Sequence, residues 1–213
     1  MLRNASLEQI LLLLPALIFA FTIHEISHGL MAYILGDSTA KLDGRLSLNP
    51  VRHIDPIGLL CILIVGFGWA KPVMVDPRNL KNPKIDMALI SIAGPISNFL
   101  MAFISLMIFY LLIIFAPSAP RYIFEVIQVF CWLNIMLGVF NLIPIPPLDG
   151  SKVLAGILPN GVYNKLHLIE RFGMILLLVL IFTGVIAEHL PPITGAIYNM
   201  LNSFVINIYE WLL

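Results

Sequence analysis

Two histidines and a glutamate lie in the middle of an apolar stretch long enough to cross a membrane. Residues 24 to 28 read His-Glu-Ile-Ser-His, and apolar residues dominate from Ile10 to Leu35. In a helix, His24 and His28 face the same side, because they are four positions apart, and can share a tetrahedral zinc ion. Glu25 is then placed to accept a proton from a metal-bound water. Ionisable groups at membrane depth are costly, so this cluster indicates a functional site.

The composition is that of a membrane protein. Hydrophobic residues make up 60% of the 213 positions and charged residues only 11%, whereas soluble domains carry about 25% charged residues. The formal net charge is zero, which argues against a nucleic-acid partner. We therefore expect a polytopic membrane protein whose partner is the lipid bilayer in which it is embedded.

Apolar periodicity and length predict an all-α fold that forms a single domain over residues 1–213. Spanning helices are predicted at about 7–35, 87–115, 122–142 and 163–188, with a short helix at 151–158. The last segment, 193–213, either spans the membrane or lies at its interface. The total is about five to six membrane segments.

One element between the first two spans does not fit a spanning helix. The apolar island at 57–69 is short and contains several glycines, and Pro72 disfavours a helix in the segment that follows it. A short re-entrant or β-hairpin element is predicted here. Irregular backbone at membrane depth requires surrounding protein or a water-filled cavity.

Asp149 is the best candidate for a third metal ligand. It follows helix-breaking prolines in an apolar context and precedes Gly150. A zinc ion brings two positive charges, which the carboxylates of Asp149 and Glu25 balance, and a nearly neutral cluster can be buried. One zinc ion per chain is expected. An Asp-Gly turn without a metal role is the alternative for this residue.

Basic residues are concentrated between the first and second long spans, and by the positive-inside tendency this stretch faces the cytoplasm. They are Lys41, Arg45, Arg52, Lys71, Arg78, Lys81 and Lys84. Because the histidines lie nearer this end of the first helix, we expect the site within the membrane, nearer the cytoplasmic face.

Four motifs in order resemble the site-2 protease family of intramembrane zinc metalloproteases. They are His-Glu-Ile-Ser-His at 24–28, Gly-Trp-Ala-Lys-Pro-Val at 68–73, Ala-Gly-Pro-Ile-Ser-Asn at 93–98, and Asn-Leu-Ile-Pro-Ile-Pro-Pro-Leu-Asp-Gly at 141–150. The resemblance implies a zinc endopeptidase that hydrolyses peptide bonds in or near transmembrane segments of single-pass or hairpin membrane proteins. A bacterial inner membrane is the implied location, and homo-oligomerisation is left open.

The resemblance also implies roles for individual residues. His24, His28 and Asp149 would bind zinc, and Glu25 would be the catalytic base. Asn141 would steady the oxyanion or the substrate backbone, with a helix cap as its alternative role.

Three further residues are candidates for substrate binding. Trp69 and Val73 belong to an extended segment that can offer a strand edge to an unwound substrate. Asn98 is the third, and helix packing is its alternative role.

Two other functions remain open at this stage. A membrane zinc transporter would use similar ligands, although no other span carries a central histidine and no loop is rich in histidine. A catalytically inactive scaffold is the other alternative, and the presence of Glu25 argues against it.

Overall fold

The computed structural model describes residues 7–65 and 68–212, and this part of the chain is built from α-helices. Short 3₁₀ turns at Pro50–Arg52 and Pro77–Asn79 begin with proline, whose fixed φ suits the first helical position. The helices, in chain order, are α1 Leu7–Ile34, α2 Thr39–Leu42, α3 Pro56–Val65, α4 Pro83–Phe115, α5 Arg121–Asn141, α6 Asp149–Ile157, α7 Asn160–Phe182 and α8 Val185–Leu212.

Helix α4 is the centre of the bundle and contacts α1, α5, α6 and α8. Its close packing depends on residues without bulk. A Cβ added to Gly156 of α6 would lie 2.4 Å from the Cβ of Ala88, and one added to Gly138 of α5 would lie 2.8 Å from the ring of Phe99. Small residues let membrane helices approach closely where water supplies no hydrophobic driving force between them.

A hydrophobic core joins α4, α5 and α8. Its buried members are Ala102, Leu106, Cys131, Ile135, Val139 and Val205. Around it, Tyr110 donates a hydrogen bond to Asn202, and Trp132 stacks on Tyr198 with ring centroids 5.0 Å apart. These contacts fix α8 against the first half of the bundle.

The structure confirms the all-α prediction but not the count of five to six membrane segments. Within the described residues, three helical segments are long and apolar enough to span a membrane: Leu12–Ile34, Pro83–Phe115 and Arg121–Asn141. A fourth span results if the bent pair Arg171–Phe182 and Val185–Leu212 crosses as one broken unit. At about 1.5 Å per residue, α4 is about 50 Å long and exceeds a hydrocarbon core of about 30 Å.

The region predicted to form a re-entrant or β-hairpin element contains a short helix. Pro56–Val65 is a helix, and among the described residues β pairing is limited to a single antiparallel bridge between Ile54 and Ala70. Gly66 and Phe67 of this element lie outside the described residues. The hairpin is therefore not confirmed, and residues 71–76, in the segment predicted to be extended, form neither a helix nor a paired strand.

The span predicted over 163–188 is interrupted by a sharp bend. Helix α7 ends at Phe182, and α8 begins at Val185 with a bend of 81°. The break lies at Gly184, whose φ of +83° is readily adopted only by glycine. Pro191 and Pro192 lie inside α8.

Hydrogen bonds to Asp37 connect the end of α1 to the segment that precedes α4. This fully buried carboxylate accepts hydrogen bonds from the backbone N–H and hydroxyl of Thr39, from the amide of Asn79 and from the backbone N–H of Asp76. Burial alone would raise the pKa of Asp37, but these hydrogen bonds outweigh it and hold the pKa below its ordinary value of 3.8.

We predict that Asp37→Asn lowers the free energy of unfolding by about 1–3 kcal/mol at neutral pH, because buried donors lose their acceptor. A carboxyl whose pKa is depressed by folding stabilises the protein above its unfolded pKa, and this stabilisation is lost as pH falls below that value. The difference from the natural protein should therefore shrink below about pH 4. Thermal unfolding in detergent from pH 3 to 7 measures it, with the exposed Asp43→Asn as control. A difference that stays constant over this range would contradict the assignment.

Candidate metal centre

Three side chains from two distant parts of the sequence converge at the centre of the bundle. Helix α1 supplies His24 and His28, and Asp149 is the first residue of α6. The Nε2 atoms of the histidines are 3.0 Å apart, and the Asp149 Oδ2 atom lies 3.1 Å from that of His24 and 3.2 Å from that of His28. All three residues are at most 9% exposed.

Helix α4 supports the two histidines through one stripe of residues spaced four apart. The carbonyl oxygen of Ile90 lies 2.7 Å from Nδ1 of His28, and Oδ1 of Asn98 lies 2.6 Å from Nδ1 of His24. Gly94 stands between them. A Cβ there would lie 2.5 Å from the His28 ring and 2.6 Å from the His24 ring, so only glycine leaves room for both imidazoles.

Asp149 reaches the site because the chain breaks after α5. Prolines between Leu142 and Leu148 prevent α5 from continuing, and the backbone turns before α6 begins at Asp149. A Cβ on Gly150 would lie 2.2 Å from the carbonyl oxygen of Leu142, so glycine permits this tight return. Asp149 thus supplies the ligand atom, and Gly150 permits the close approach of the backbone.

The hydrogen bonds around the histidines indicate which nitrogen of each imidazole carries the proton. The Ile90 carbonyl can only accept, so His28 donates from Nδ1 and turns the lone pair of Nε2 inward. His24 likewise donates from Nδ1, to Asn98, so the lone pair of its Nε2 also points inward. Two nitrogen lone pairs and a carboxylate oxygen then face one another at about 3 Å, an arrangement that a bound cation would stabilise.

A metal ion suits this cluster better than a proton, because one proton can bridge only one of three nearly equal contacts. A tetrahedral zinc site with ligand bonds of about 2.0–2.2 Å has ligand atoms about 3.3–3.6 Å apart. The observed separations of 3.0, 3.1 and 3.2 Å are close to these values. The donor set, two imidazoles and one carboxylate, is one that zinc uses in catalytic sites.

Glu25 lies beside the cluster and is held by the segment at 71–76. The backbone N–H of Val73 donates to Oε2 of Glu25 at 2.9 Å. Arg45 fixes this segment in turn by donating to the carbonyl oxygens of Lys71 and Pro72. The carboxylate next to the histidines therefore has a defined orientation.

The other predicted site residues occupy different surroundings. Trp69 is 41% exposed and lies in the same chain segment as Val73. Asn141, at the end of α5, donates its amide to the carbonyl oxygen of Leu137 in its own helix. Asn98 does not fit the predicted substrate contact, because it is fully buried behind His24.

Sequence reasoning missed Asn134 of α5, which is also fully buried and accepts a hydrogen bond from Asn98. Its only sequence signal is an amide in the middle of an apolar span.

Comparison with known proteins identifies the family. A protein from Bacillus subtilis named "Putative zinc metalloprotease YwhC" is 40% identical over 191 residues, which cover 86% of this chain and 86% of the relative. Residues 111–182 match the profile of Peptidase family M50, the site-2 protease family. The chain belongs to this family. Its M50 membership and its apolar helices make it an integral membrane protein of a zinc metalloprotease family.

More distant M50 relatives come from other lineages. "Putative zinc metalloprotease Rip2" of Mycolicibacterium smegmatis is 26% identical and is matched over 81% of this chain and 67% of its own length. A relative from Methanocaldococcus jannaschii, also named as a putative zinc metalloprotease, is 28% identical over 71% of this chain and 73% of its own. No solved structure gives a significant match.

We predict that Gly94→Ala displaces both imidazoles and weakens zinc binding at least 10-fold, because its methyl group would lie inside contact distance of each ring. Zinc affinity is measured by competition with a chelator in detergent. Gly195→Ala in α8 is the matched control, since a Cβ there meets nothing within 4 Å. Equal zinc affinities for the two variants would contradict the role assigned to Gly94.

Proposed function

We propose that this M50 protein is a zinc endopeptidase that hydrolyses peptide bonds in or near transmembrane segments of membrane-protein substrates, as in regulated intramembrane proteolysis. The observation that carries the proposal is the triangle of His24 Nε2, His28 Nε2 and Asp149 Oδ2, three inward-facing acceptors inside an apolar bundle. These residues would hold one zinc ion per chain. When bound, zinc would lower the pKa of water to about 7 and polarise the peptide carbonyl.

Glu25 is the proposed general base. With Oε2 engaged by the Val73 N–H, the carboxylate is oriented to take a proton from the attacking water and pass it to the leaving amine nitrogen. Asn141 is proposed to donate to the developing oxyanion. Its amide now donates to Leu137, so this role requires the side chain to rotate away from its own helix.

The extended segment around Trp69 and Val73 is the proposed place for the substrate. A transmembrane helix hides its carbonyl groups in its own hydrogen bonds and must unwind before it can be cleaved. An unwound segment can pair with an exposed extended edge. Backbone groups alternate in direction along an extended chain, so in such a conformation those of Met74 would face away from the side on which Val73 contacts Glu25.

We further propose a bacterial inner membrane as the location, with the site nearer the cytoplasmic face. The support for a position near the cytoplasmic face is the concentration of basic residues between α1 and α4. Helix α1 ends on that side, at Ile34. His28 and His24 lie six and ten residues before that end, about 9 and 15 Å along the helix. The proposed substrates are single-pass or hairpin membrane proteins. Homo-oligomerisation remains open.

The central experiment compares the natural protein with Glu25→Gln and Asp149→Asn. Zinc per chain is measured by atomic absorption, and cleavage is measured by mass spectrometry on a panel of single-pass transmembrane peptides in proteoliposomes. We expect one zinc and cleavage for the natural protein. Glu25→Gln should keep its zinc and lose about 10²–10⁴-fold in rate, and Asp149→Asn should lose most of its zinc.

Either of two results would contradict the proposal. One is a natural protein without zinc. The other is zinc flux across vesicles that persists in Glu25→Gln, which would indicate a transporter because transport needs no general base.

A second prediction concerns the hydrogen bond to Glu25. Val73→Pro removes the N–H donor and should lower the cleavage rate about 10- to 100-fold while zinc content stays unchanged, since the base loses its orientation but the metal ligands keep theirs. Val73→Ala keeps the N–H and is the matched control. A Val73→Pro protein that cleaves as fast as Val73→Ala would show that this contact does not orient the base.

A further inference from the structure

A chain of hydrogen bonds runs from the backbone of α5 to the inner face of the metal centre. The Asn134 amide nitrogen lies 2.8 Å from the Phe130 carbonyl oxygen, and Asn134 Oδ1 lies 2.9 Å from the amide nitrogen of Asn98. Asn98 Oδ1 lies 2.6 Å from Nδ1 of His24. Both asparagines are fully buried, so water does not compete for these groups.

Each link has a fixed direction because the first acceptor is a backbone carbonyl. The Phe130 carbonyl cannot donate, so Asn134 must turn its NH₂ group toward it and its oxygen toward Asn98. Asn98 must then donate to Asn134 and present its own oxygen to His24. His24 can meet that oxygen only as a donor from Nδ1, which leaves the lone pair of Nε2 for a metal ion.

The two histidines differ in what holds them. His28 donates directly to the Ile90 carbonyl, which cannot be inverted. His24 depends on a side-chain amide, and a 180° flip of the Asn98 amide exchanges its oxygen and nitrogen with little change in shape. A flipped Asn98 would donate to Nδ1 of His24 and move the proton to Nε2, where it would block metal binding. The contact with Asn134 disfavours this flip, as does a longer contact of 3.5 Å from the Asn98 amide nitrogen to the Ala20 carbonyl oxygen.

We propose that Asn134 is a positioning residue that sets the tautomer of His24 through Asn98. The inference rests on the proposed zinc site and goes beyond it, because Asn134 contacts neither the metal ligands nor the substrate. Partners that orient metal-ligating histidines typically contribute 10- to 100-fold to metal affinity. Asn134 extends that support by one further residue, onto a different helix.

Histidine ¹⁵N NMR on metal-free protein in detergent at pH 8 tests the tautomer itself. The signal of His24 is assigned by its absence in His24→Gln. We expect the natural protein to carry the His24 proton on Nδ1, and Asn134→Leu, which keeps the volume but removes the acceptor, to shift population to Nε2. Identical His24 tautomers in the two proteins would overturn the proposal, and this readout holds even if the natural protein binds no zinc.

Zinc affinity measured by chelator competition gives the second readout. Asn134→Leu should weaken zinc binding about 10- to 100-fold, whereas Ser105→Ala should leave it unchanged. Ser105 is the matched control, because its buried hydroxyl bonds only to the Met101 carbonyl in its own helix. If both variants lower zinc affinity equally, the effect is a general loss of stability and the proposal fails.

A double-mutant cycle shows whether Asn134 acts through Asn98. If it does, adding Asn134→Leu to Asn98→Leu should change zinc affinity by less than about 3-fold, because the link has already been cut. Additive losses would mean that the two asparagines act separately, which would overturn the proposal that Asn134 acts through Asn98. A natural protein that binds no zinc would instead contradict the proposed function, and the NMR experiment would still decide the role of Asn134.

Discussion

The packing of α1 against α4 is the contact on which the rest of the site depends. His24 and His28 are four residues apart on α1, and Ile90, Gly94 and Asn98 repeat the same spacing on α4. Because the helices run in opposite directions, Asn98 meets His24 and Ile90 meets His28. Gly94 between them lets the helices approach closely enough for both contacts. A shift of one turn would separate both histidines from their partners.

This register explains how an apolar bundle holds a cluster of polar groups. Each imidazole directs one nitrogen to α4 and the other to the ligand space, and the break after α5 brings Asp149 to that space. A cation bound among these acceptors would offset the cost of burying them. The same arrangement that binds zinc in the proposed enzyme therefore makes the polar cluster tolerable within the bundle.

The sequence predicted the parts of the site whose chemistry is carried by short motifs. The histidine spacing requires a helix, and the prolines before Asp149 require a break, so both could be read locally. The position of Asn98 behind His24 could not, because it depends on the register between two helices. Asn134 was missed for the same reason, since a single amide in an apolar span does not reveal its partner.

In the fold, too, the features specified by long local patterns were predicted and those with a weak local signal were missed. The bounds of α1, α4 and α5 agree with the predicted spans within a few residues, because long apolar runs specify them. The bend at Gly184 was missed because one glycine inside an apolar run carries little signal. The helix at Pro56–Val65 was missed because a short apolar run fits either a strand or a helix.

X-ray absorption at the zinc edge tests the central claim most directly, namely that two α1 histidines and the first residue of α6 form one metal site. For detergent-purified protein reconstituted with one equivalent of zinc, we expect two imidazole nitrogens and carboxylate oxygen at about 2.0–2.2 Å, with no sulfur ligand. A thiolate at about 2.3 Å, or fewer than two imidazoles around the bound zinc, would contradict it.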